Sequence, residues 1–542
     1  MFLKYHMKKL ANLFFFLFSI VLHAQAPAID WMKRYGGSST DLLNSLIITQ
    51  DGGFLMGGSS NSGISGIKTE ERIGYNQDYW VIKTDNLGAI EWQKTIGAGN
   101  PNGLGDLGAE VLRKVRQAAD GGYFLGGNSD SPAFGSKTEP NYGGQDYWIV
   151  KINSSGTIVW QKDIGGTNED ECFALEATPD GGCIAGGYSR SGLSGNKTDS
   201  NRGLKDYWVV KLDANGQIQW QKSYGGASDD ILYSILALEN QEYILVGASA
   251  SNISGEKTEN SKGGGDFWII KIDASGNIIW QKTIGGNSGD IPYNAVKLVD
   301  GFVFSGVSYS NISFDKTENS RGGADYWMLK TDFNGNVLWD KTIGGGLDEF
   351  PTGLMSMEVG SGFVLAGTSY SDISGDKTVP NYGDYNGWVI RTNQNGELLW
   401  QKGIGGSYTD AFNQVVELPD HSVLLGGGAS STVSGNLTAE GYGGADYWLV
   451  KLEQEQLGTD AFSSNAFSVY PNPTPNDINI SFVESQEKLE VAVYNSLLQL
   501  INTFKFNRTS FITMPINGPS GLYFIKINNQ EGKTFQVKVL KK

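Results

Sequence analysis

The fourteen tryptophans of this 542-residue chain fall into two interleaved series, and their spacing constrains the fold more than any other feature. One series is Trp31, Trp92, Trp160, Trp220, Trp280, Trp339 and Trp400; the other is Trp80, Trp148, Trp208, Trp268, Trp327, Trp388 and Trp448. Successive members of the first series lie 59 to 68 residues apart, and each of the first six members of the second precedes one of the first by twelve. Repetition at a fixed period marks a propeller or a solenoid, in which one supersecondary unit is used many times. Length agrees, since a single ordinary core stops growing near ~250–300 residues. With 74 glycines, 12% aromatic and 18% charged residues, the composition favours strands and tight turns and excludes a helical bundle.

One repeat, residues 160 to 220, divides into four strands. Strand a lies near residues 172 to 177 and the turn Pro179-Asp180-Gly181-Gly182 leads into strand b at 183 to 188. A long loop follows, then strand c at 206 to 212, the turn Asn215-Gly216 and strand d at 217 to 222. The Asp-Gly and Asn-Gly pairs are hairpin residues because both tolerate positive φ. Four antiparallel strands make one propeller blade. The chain opens on a lone strand d around Trp31 and ends its repeats on a strand c around Trp448. The N-terminal strand can therefore complete the last blade and cover its edge, whereas a solenoid would need two capping repeats. The fold expected is all-β: a seven-bladed β-propeller closed by the N-terminal strand, followed by a small C-terminal β-sandwich.

Residues 31 to 455, with Asp-Gly-Gly, a strand, Gly-Gly, then Asp-Tyr-Trp and Trp-Gln-Lys, resemble kelch-like and delta-60-like bacterial propeller repeats. That resemblance implies architecture and says little of function.

At the N-terminus Lys4, Lys8 and Lys9 precede the apolar run 10 to 22 and then His23-Ala24-Gln25-Ala26, the three regions of a signal peptide over residues 1–24. The run is too short to span a bilayer comfortably, and no transmembrane segment is expected after cleavage. Residues 25–456 form the propeller and 457–465 a linker. From 466 to 542 the texture changes to short alternating runs, Ile478/Ile480/Phe482, Leu489/Val491/Val493 and Phe535/Val537/Val539, which read as the sandwich. In this segment Tyr470-Pro471-Asn472-Pro473, Val493-Tyr494-Asn495, Gly521-Leu522-Tyr523 and the basic end closing on Lys541 and Lys542 resemble the type A C-terminal sorting domain of the Bacteroidota type IX secretion system. The resemblance implies Sec export, recognition by the outer-membrane translocon and its sorting peptidase, and a secreted or surface-attached product.

Net charge is −16, with +3 on the first 24 residues and +3 on residues 466 to 542, which leaves −22 between them. An acidic body argues against a nucleic-acid partner. Of three histidines, His6 and His23 lie in the signal segment, so a histidine triad or zinc cluster would depend on His421 alone, which reads as a hairpin tip. Cys172 and Cys183 sit out of register in consecutive strands and are expected as free buried thiols.

The a–b and c–d turns share one face of a blade, and the long b–c and d–a loops share the other, where a ligand site is expected. The b–c loops repeat a Lys-Thr-acid motif beginning at Lys68, Lys137, Lys197, Lys257 and Lys316, decaying to Lys377-Thr378-Val379 and Leu437-Thr438-Ala439. Recurrence in nearly every repeat points to packing of one loop on the next. A carboxylate series heads strand a: Asp41, Glu110, Asp170, Asp230, Asp290, Asp348 or Glu349, and Asp410. Ringed around a channel mouth, these oxygens would suit Ca²⁺ as a cofactor; alternatively each caps its own d–a turn. Repeated equivalent acids supply symmetry rather than the unlike pair that general acid–base catalysis needs, and the asymmetric stretches, Gly99 to Gly108 and Asp384-Tyr385-Asn386-Gly387, hold no nucleophile beside a base. The function expected is a secreted or surface-attached binding or adhesion module, not an enzyme, for an extracellular glycan or protein. The alternative is an extracellular hydrolase or lyase of carbohydrates using carboxylates on the long-loop face.

Overall fold

The computed structural model describes residues 26–99, 108–358, 362–455, 467–496, 499–529 and 534–542. The expected signal segment, the linker and most of the connection between Gly99 and Gly108 lie outside the described residues. The chain divides into two compact units, one ending at Gln454 and one beginning at Glu455.

In the first unit β1 (Ile29–Tyr35) precedes six sheets that each follow the chain in order. They are β2 (Asp41–Ile48), β3 (Phe54–Ser60), β4 (Asp78–Thr84) and β5 (Ile90–Ile96); β6 (Glu110–Gln117), β7 (Tyr123–Ser129), β8 (Asp146–Ile152) and β9 (Ile158–Ile164); and β10 (Asp170–Ala177), β11 (Cys183–Ser189), β12 (Asp206–Leu212) and β13 (Ile218–Tyr224). Next come β14 (Asp230–Ala237), β15 (Tyr243–Ser249), β16 (Asp266–Ile272) and β17 (Ile278–Ile284), then β18 (Asp290–Lys297), β19 (Phe302–Ser308), β20 (Asp325–Thr331) and β21 (Val337–Ile343), then β22 (Glu349–Ser356), β23 (Phe363–Ser369), β24 (Asn386–Thr392) and β25 (Leu398–Ile404). A further sheet joins β26 (Asp410–Glu417), β27 (Val423–Ala429) and β28 (Asp446–Leu452) to β1, with Trp31 opposite Lys451 and Tyr35 opposite Tyr447. All pairings are antiparallel, and no α-helix occurs among the described residues.

Burial explains the sequence texture. Every residue of β11 and of β12 is buried, because neighbouring sheets cover both faces, so strand c reads as one apolar run. At the outer edge β13 is half-buried over most of its length and buried only at its last two residues. The Tyr-Trp pair at the head of strand c joins successive sheets. Tyr79 packs 4.9 Å from Trp148, Tyr147 5.1 Å from Trp208 and Tyr207 4.8 Å from Trp268, and each phenol donates to the backbone carbonyl of the tryptophan it touches. Tyr447 in β28 makes the same contacts to Trp80 in β4, at 4.9 Å between rings and 2.8 Å to the carbonyl. The other tryptophan series bridges the same junctions farther out, with Trp160 Nε1 donating to Ala214 O at 2.9 Å and Trp220 Nε1 to Ala274 O at 3.0 Å.

The second unit contains β29 (Phe467–Tyr470), β30 (Asp477–Tyr494), β31 (Leu500–Pro515), β32 (Gly521–Asn529) and β33 (Thr534–Lys541). It is one hydrogen-bonded sheet rather than two short-stranded ones, in the order β29-β30-β32-β33 with β31 also on β30. The runs around Ile478 and Leu489 belong to the same 18-residue strand. Their inward alternation changes phase between Phe482 and Leu489, where the register with β31 breaks, so both halves bury side chains in one core with Ile512, Met514 and Ile525.

Candidate functional site

Asp41, Glu110, Asp170, Asp230, Asp290, Glu349 and Asp410 head the first strands of their sheets, and each is 0% exposed. Six of them accept the N–H of the glycine four residues earlier: Gly37, Gly166, Gly226, Gly286 and Gly406 at 2.7 Å, and Gly345 at 2.6 Å. Glu110 takes Ala98 N at 3.1 Å. Serine hydroxyls add to these bonds, Ser191 on Asp170 at 2.8 Å and Ser251 on Asp230 at 2.9 Å among them. Glu349 holds the position in the sixth repeat, while Asp348 accepts from Ala324 N instead. Each acid thus sits in a turn of its own, and among the described residues no three His, Cys, Asp or Glu side chains are grouped to hold a metal ion.

A second series of buried acids, at the head of strand c, escaped the sequence reading: Asp78, Asp146, Asp206, Asp266, Asp325 and Asp446, with Asn386 in the sixth repeat. Each acts on the strand-a acid of the following sheet. Burial pushes Asp78 up to about 8 and Glu110 adds to it; burial pushes Asp206 up to about 6 and Asp230 adds to it. Asp146, buried and beside Asp163 and Asp170, rises to about 9. Where Asn386 stands, its amide donates to Asp410 at 3.3 Å.

The lysine of the Lys-Thr-acid motif supplies the opposing charge. Lys68 feels both Asp41 and Asp78, and Lys257 both Asp230 and Asp266; burial lowers the first and pushes Lys197, Lys257 and Lys316 down to about 8. In the last repeat leucine replaces this lysine, and Arg34 from β1 takes its place, 2.7 Å from Asp446 with both side chains buried. The motif does not tie one loop to the next, as expected, but clamps the loop to strand d of its own sheet. Lys197 Nζ donates to Ser223 Oγ at 2.8 Å, Thr198 N to Gln221 Oε1 at 3.0 Å, and Ser223 N to Asp199 at 2.7 Å. Trp208 Nε1 shares the same Gln221 oxygen at 3.2 Å. Neighbouring loops are linked by other residues, Arg202 to Glu256 at 2.7 Å and Arg321 to Asp376 at 2.9 Å.

The places that differ from repeat to repeat are more informative. In every first strand the pairing with the next is broken by a β-bulge three residues beyond the heading acid, which leaves that residue unpaired, together with Pro351 in β22. The residues at that position are Asn44, Arg113, Phe173, Tyr233, Tyr293, Thr352 and Asn413, and all seven line a single cavity of about 200 Å³, together with Lys114, Asn294 and Gln414. All ten are half-buried. On one side Phe173, Tyr233 and Tyr293 follow each other at 5.7 Å, with Arg113 over Phe173 at 5.0 Å. On the other, amides bridge sheet to sheet: Asn413 to Leu43 O at 2.6 Å, Asn44 to Leu112 O at 2.8 Å and Asn294 to Thr352 O at 2.9 Å.

A larger cavity of about 760 Å³ lies among the short turns, lined by Val299, Phe333 and Met357 with the ion pairs Lys297–Glu239 and Lys330–Asp300, both at 2.8 and 2.7 Å respectively. The long-loop face is therefore not the only one with a concave site. His421 sits at its hairpin tip with φ 61° and Nδ1 2.9 Å from Glu417. Both cysteines are free and buried.

In the C-terminal unit Tyr470-Pro471-Asn472-Pro473 is stitched to the basic end. Asn472 accepts from Leu540 N at 2.9 Å and donates to Lys538 O at 2.8 Å, and Lys542 N reaches Thr474 O at 2.9 Å. Lys541 Nζ donates to Ile516 O and Gly518 O at 2.8 Å, and Tyr523, buried beside Gly521 and Leu522, donates to Pro519 O at 2.8 Å.

The molecule so described is an all-β protein of repeated four-stranded sheets followed by a separate β unit. Residues 468–542 match the family of secretion system C-terminal sorting domains, so the second unit is a sorting domain of the type IX secretion system and marks the chain for secretion to the cell surface or the medium. The regulatory protein FlaEY of Caulobacter vibrioides is 27% identical over 281 residues, 48% of this chain; the chain spans 28% of that protein's length. Among solved structures, BBS1N in complex with ARL6DN aligns with a TM-score of 0.41 at 9% identity, over 80% of this chain and 99% of that one. The phage phi92 endosialidase aligns at 0.39 and 10% identity, over 95% and 79%. No described helix is long and apolar enough to cross a membrane.

Proposed function

We propose that residues 25–456 form a seven-bladed β-propeller closed by β1, and that it acts outside the cell as a binding or adhesion module for a glycan or protein, without catalysis. The sorting domain would deliver it through the outer-membrane translocon and its peptidase after Sec export. The observation that carries this reading is the convergence of one bulge residue from each of seven sheets on one cavity, which a ring of seven equivalent blades produces about its axis. Within a repeat that keeps its tryptophans, glycines and capping acids, this position varies in chemistry, as a recognition site requires. The heading carboxylates, engaged in backbone caps, are poorly placed as acids for a hydrolase or as ligands for Ca²⁺.

A glycan array probed with the full chain, run beside a panel of polysaccharide hydrolase and lyase assays, tests the reading. Binding without turnover, and a melting temperature indifferent to chelator or added Ca²⁺, is the expected result. Turnover would favour the carbohydrate-active enzyme, and a melting temperature lowered by chelation would restore the cation.

A further inference from the structure

We infer that the axial cavity binds a single small carboxylate-bearing group of monosaccharide size, anchored on the Lys114 ammonium. This rests on the propeller reading, because only the convergence of the bulges creates the cavity. The argument begins with charge. Within residues 25 to 465, which carry −22, β6 places Arg113, Lys114 and Arg116 within four residues. Arg116 is matched by Glu176, at 2.9 and 2.6 Å. Arg113 lies 3.5 Å from Glu171, which also accepts the Tyr188 hydroxyl at 2.7 Å. Lys114 has no such partner among the described residues: Glu176, the carboxylate acting on it, is already engaged by Arg116. Burial lowers this ammonium to about 8, so it is charged at neutral pH. A half-buried, unmatched cation is costly, and an anion entering the cavity offsets that cost.

The walls narrow the class of anion. The row of Phe173, Tyr233 and Tyr293 presents apolar ring surface, suited to the C–H face of a small ring. Asn44, Asn294 and Asn413 each spend one amide N–H on a backbone carbonyl, which leaves the other N–H and the amide oxygen to meet hydroxyl groups. With the Arg113 guanidinium already turned to Glu171, one unpaired ammonium is left, which suits a monoanion. At about 200 Å³ the space is below the ~300–1,000 Å³ of larger ligand pockets, and takes one group rather than a polymer segment.

Calorimetric titration of the full chain with D-glucuronate, D-glucose and acetate tests this. Glucuronate should bind and raise the melting temperature, glucose should bind at least ~10-fold more weakly, and acetate should compete with glucuronate. Lys114→Met should weaken glucuronate at least ~10-fold with an unchanged circular dichroism spectrum, Lys114→Arg should keep most of the binding, and Tyr233→Ala should weaken glucuronate and glucose alike. Wild-type protein that ignores glucuronate, a Lys114→Met protein that binds it normally, or acetate that fails to compete would each overturn the proposal. Should Lys114→Met misfold, acetate competition still decides. Array ligands that bind independently of Lys114 would leave the binding module standing while this site falls; an array with no ligand at all would count against the module itself.

Discussion

Buried acids that face one another across a sheet junction make the folded state hold protons. Asp206 titrates near 6, Asp78 near 8 and Asp146 near 9, against ~3.9 in an unfolded chain. The folded protein therefore binds protons that the unfolded chain has released above pH ~4. Their stabilisation is complete below that point and is lost as pH climbs through 6 and on to 8–9. Lys197, Lys257 and Lys316 act in the opposite sense only above about 8. Thermal melts should therefore show a lower midpoint at pH 7.5 than at 5.5, and Asp78→Asn should flatten part of that slope. Equal midpoints for the wild type would mean that the lysines keep both acids ionised. Arg34 offers a second test at this scale. It is the cation of the last junction and also donates to Ala429 O and Ser431 O. Arg34→Ala leaves Asp446 buried and unmatched, an expected loss of ~3–5 kcal/mol in denaturant melts. Adding Asp446→Asn should recover a good part of it, and additive effects of the two changes would refute the pairing.

Among elements, β1 carries the most. It is separated from β28 by more than 400 residues of sequence, yet it supplies the outer strand of that sheet and the cation of its junction. Deleting residues 25–38 should expose the backbone edge of β28 and leave Asp446 unmatched, giving aggregation or a cooperative loss of stability. Light scattering and melting of the truncated chain measure this; a truncated protein that stays monomeric and melts like the full chain would remove β1 from the architecture. The clamp between b–c loop and strand d is local by comparison. Gln221 alone serves Trp208, Thr198 and, through its Nε2, Asn196 O at 2.8 Å. Truncating it to alanine should cost ~1–3 kcal/mol by orphaning a largely enclosed indole N–H, and should make the loop at 190 to 205 the first site of limited proteolysis.

For the whole molecule, the division near Gln454 separates a repeat unit from an address. Removing residues 466–542 should leave the first unit folded but retained inside the outer membrane of its native host, as cell fractionation would show. Surface display of the shortened chain would mean that export does not depend on the sorting domain. Tryptophan spacing, turn glycines and the place of strand c were legible in the sequence because period and turn chemistry are written locally, residue by residue. So was the family of the last 75 residues, where the opening tetrapeptide and the basic end are chemically distinctive. Other features depend on which strand lies next to which. Asp78 and Glu110 are 32 positions apart, Arg34 and Leu437 some 400, and neither relation has a local signal. The phase change inside β30 lay hidden in the polar run Glu484-Ser485-Gln486-Glu487-Lys488, across which the register with β31 breaks and resumes at Gln486 opposite Thr509. The seven bulge residues were invisible as a set for the same reason. A bulge is a mismatch of length between two paired strands, and these side chains share one cavity only once the sheets that carry them are packed together.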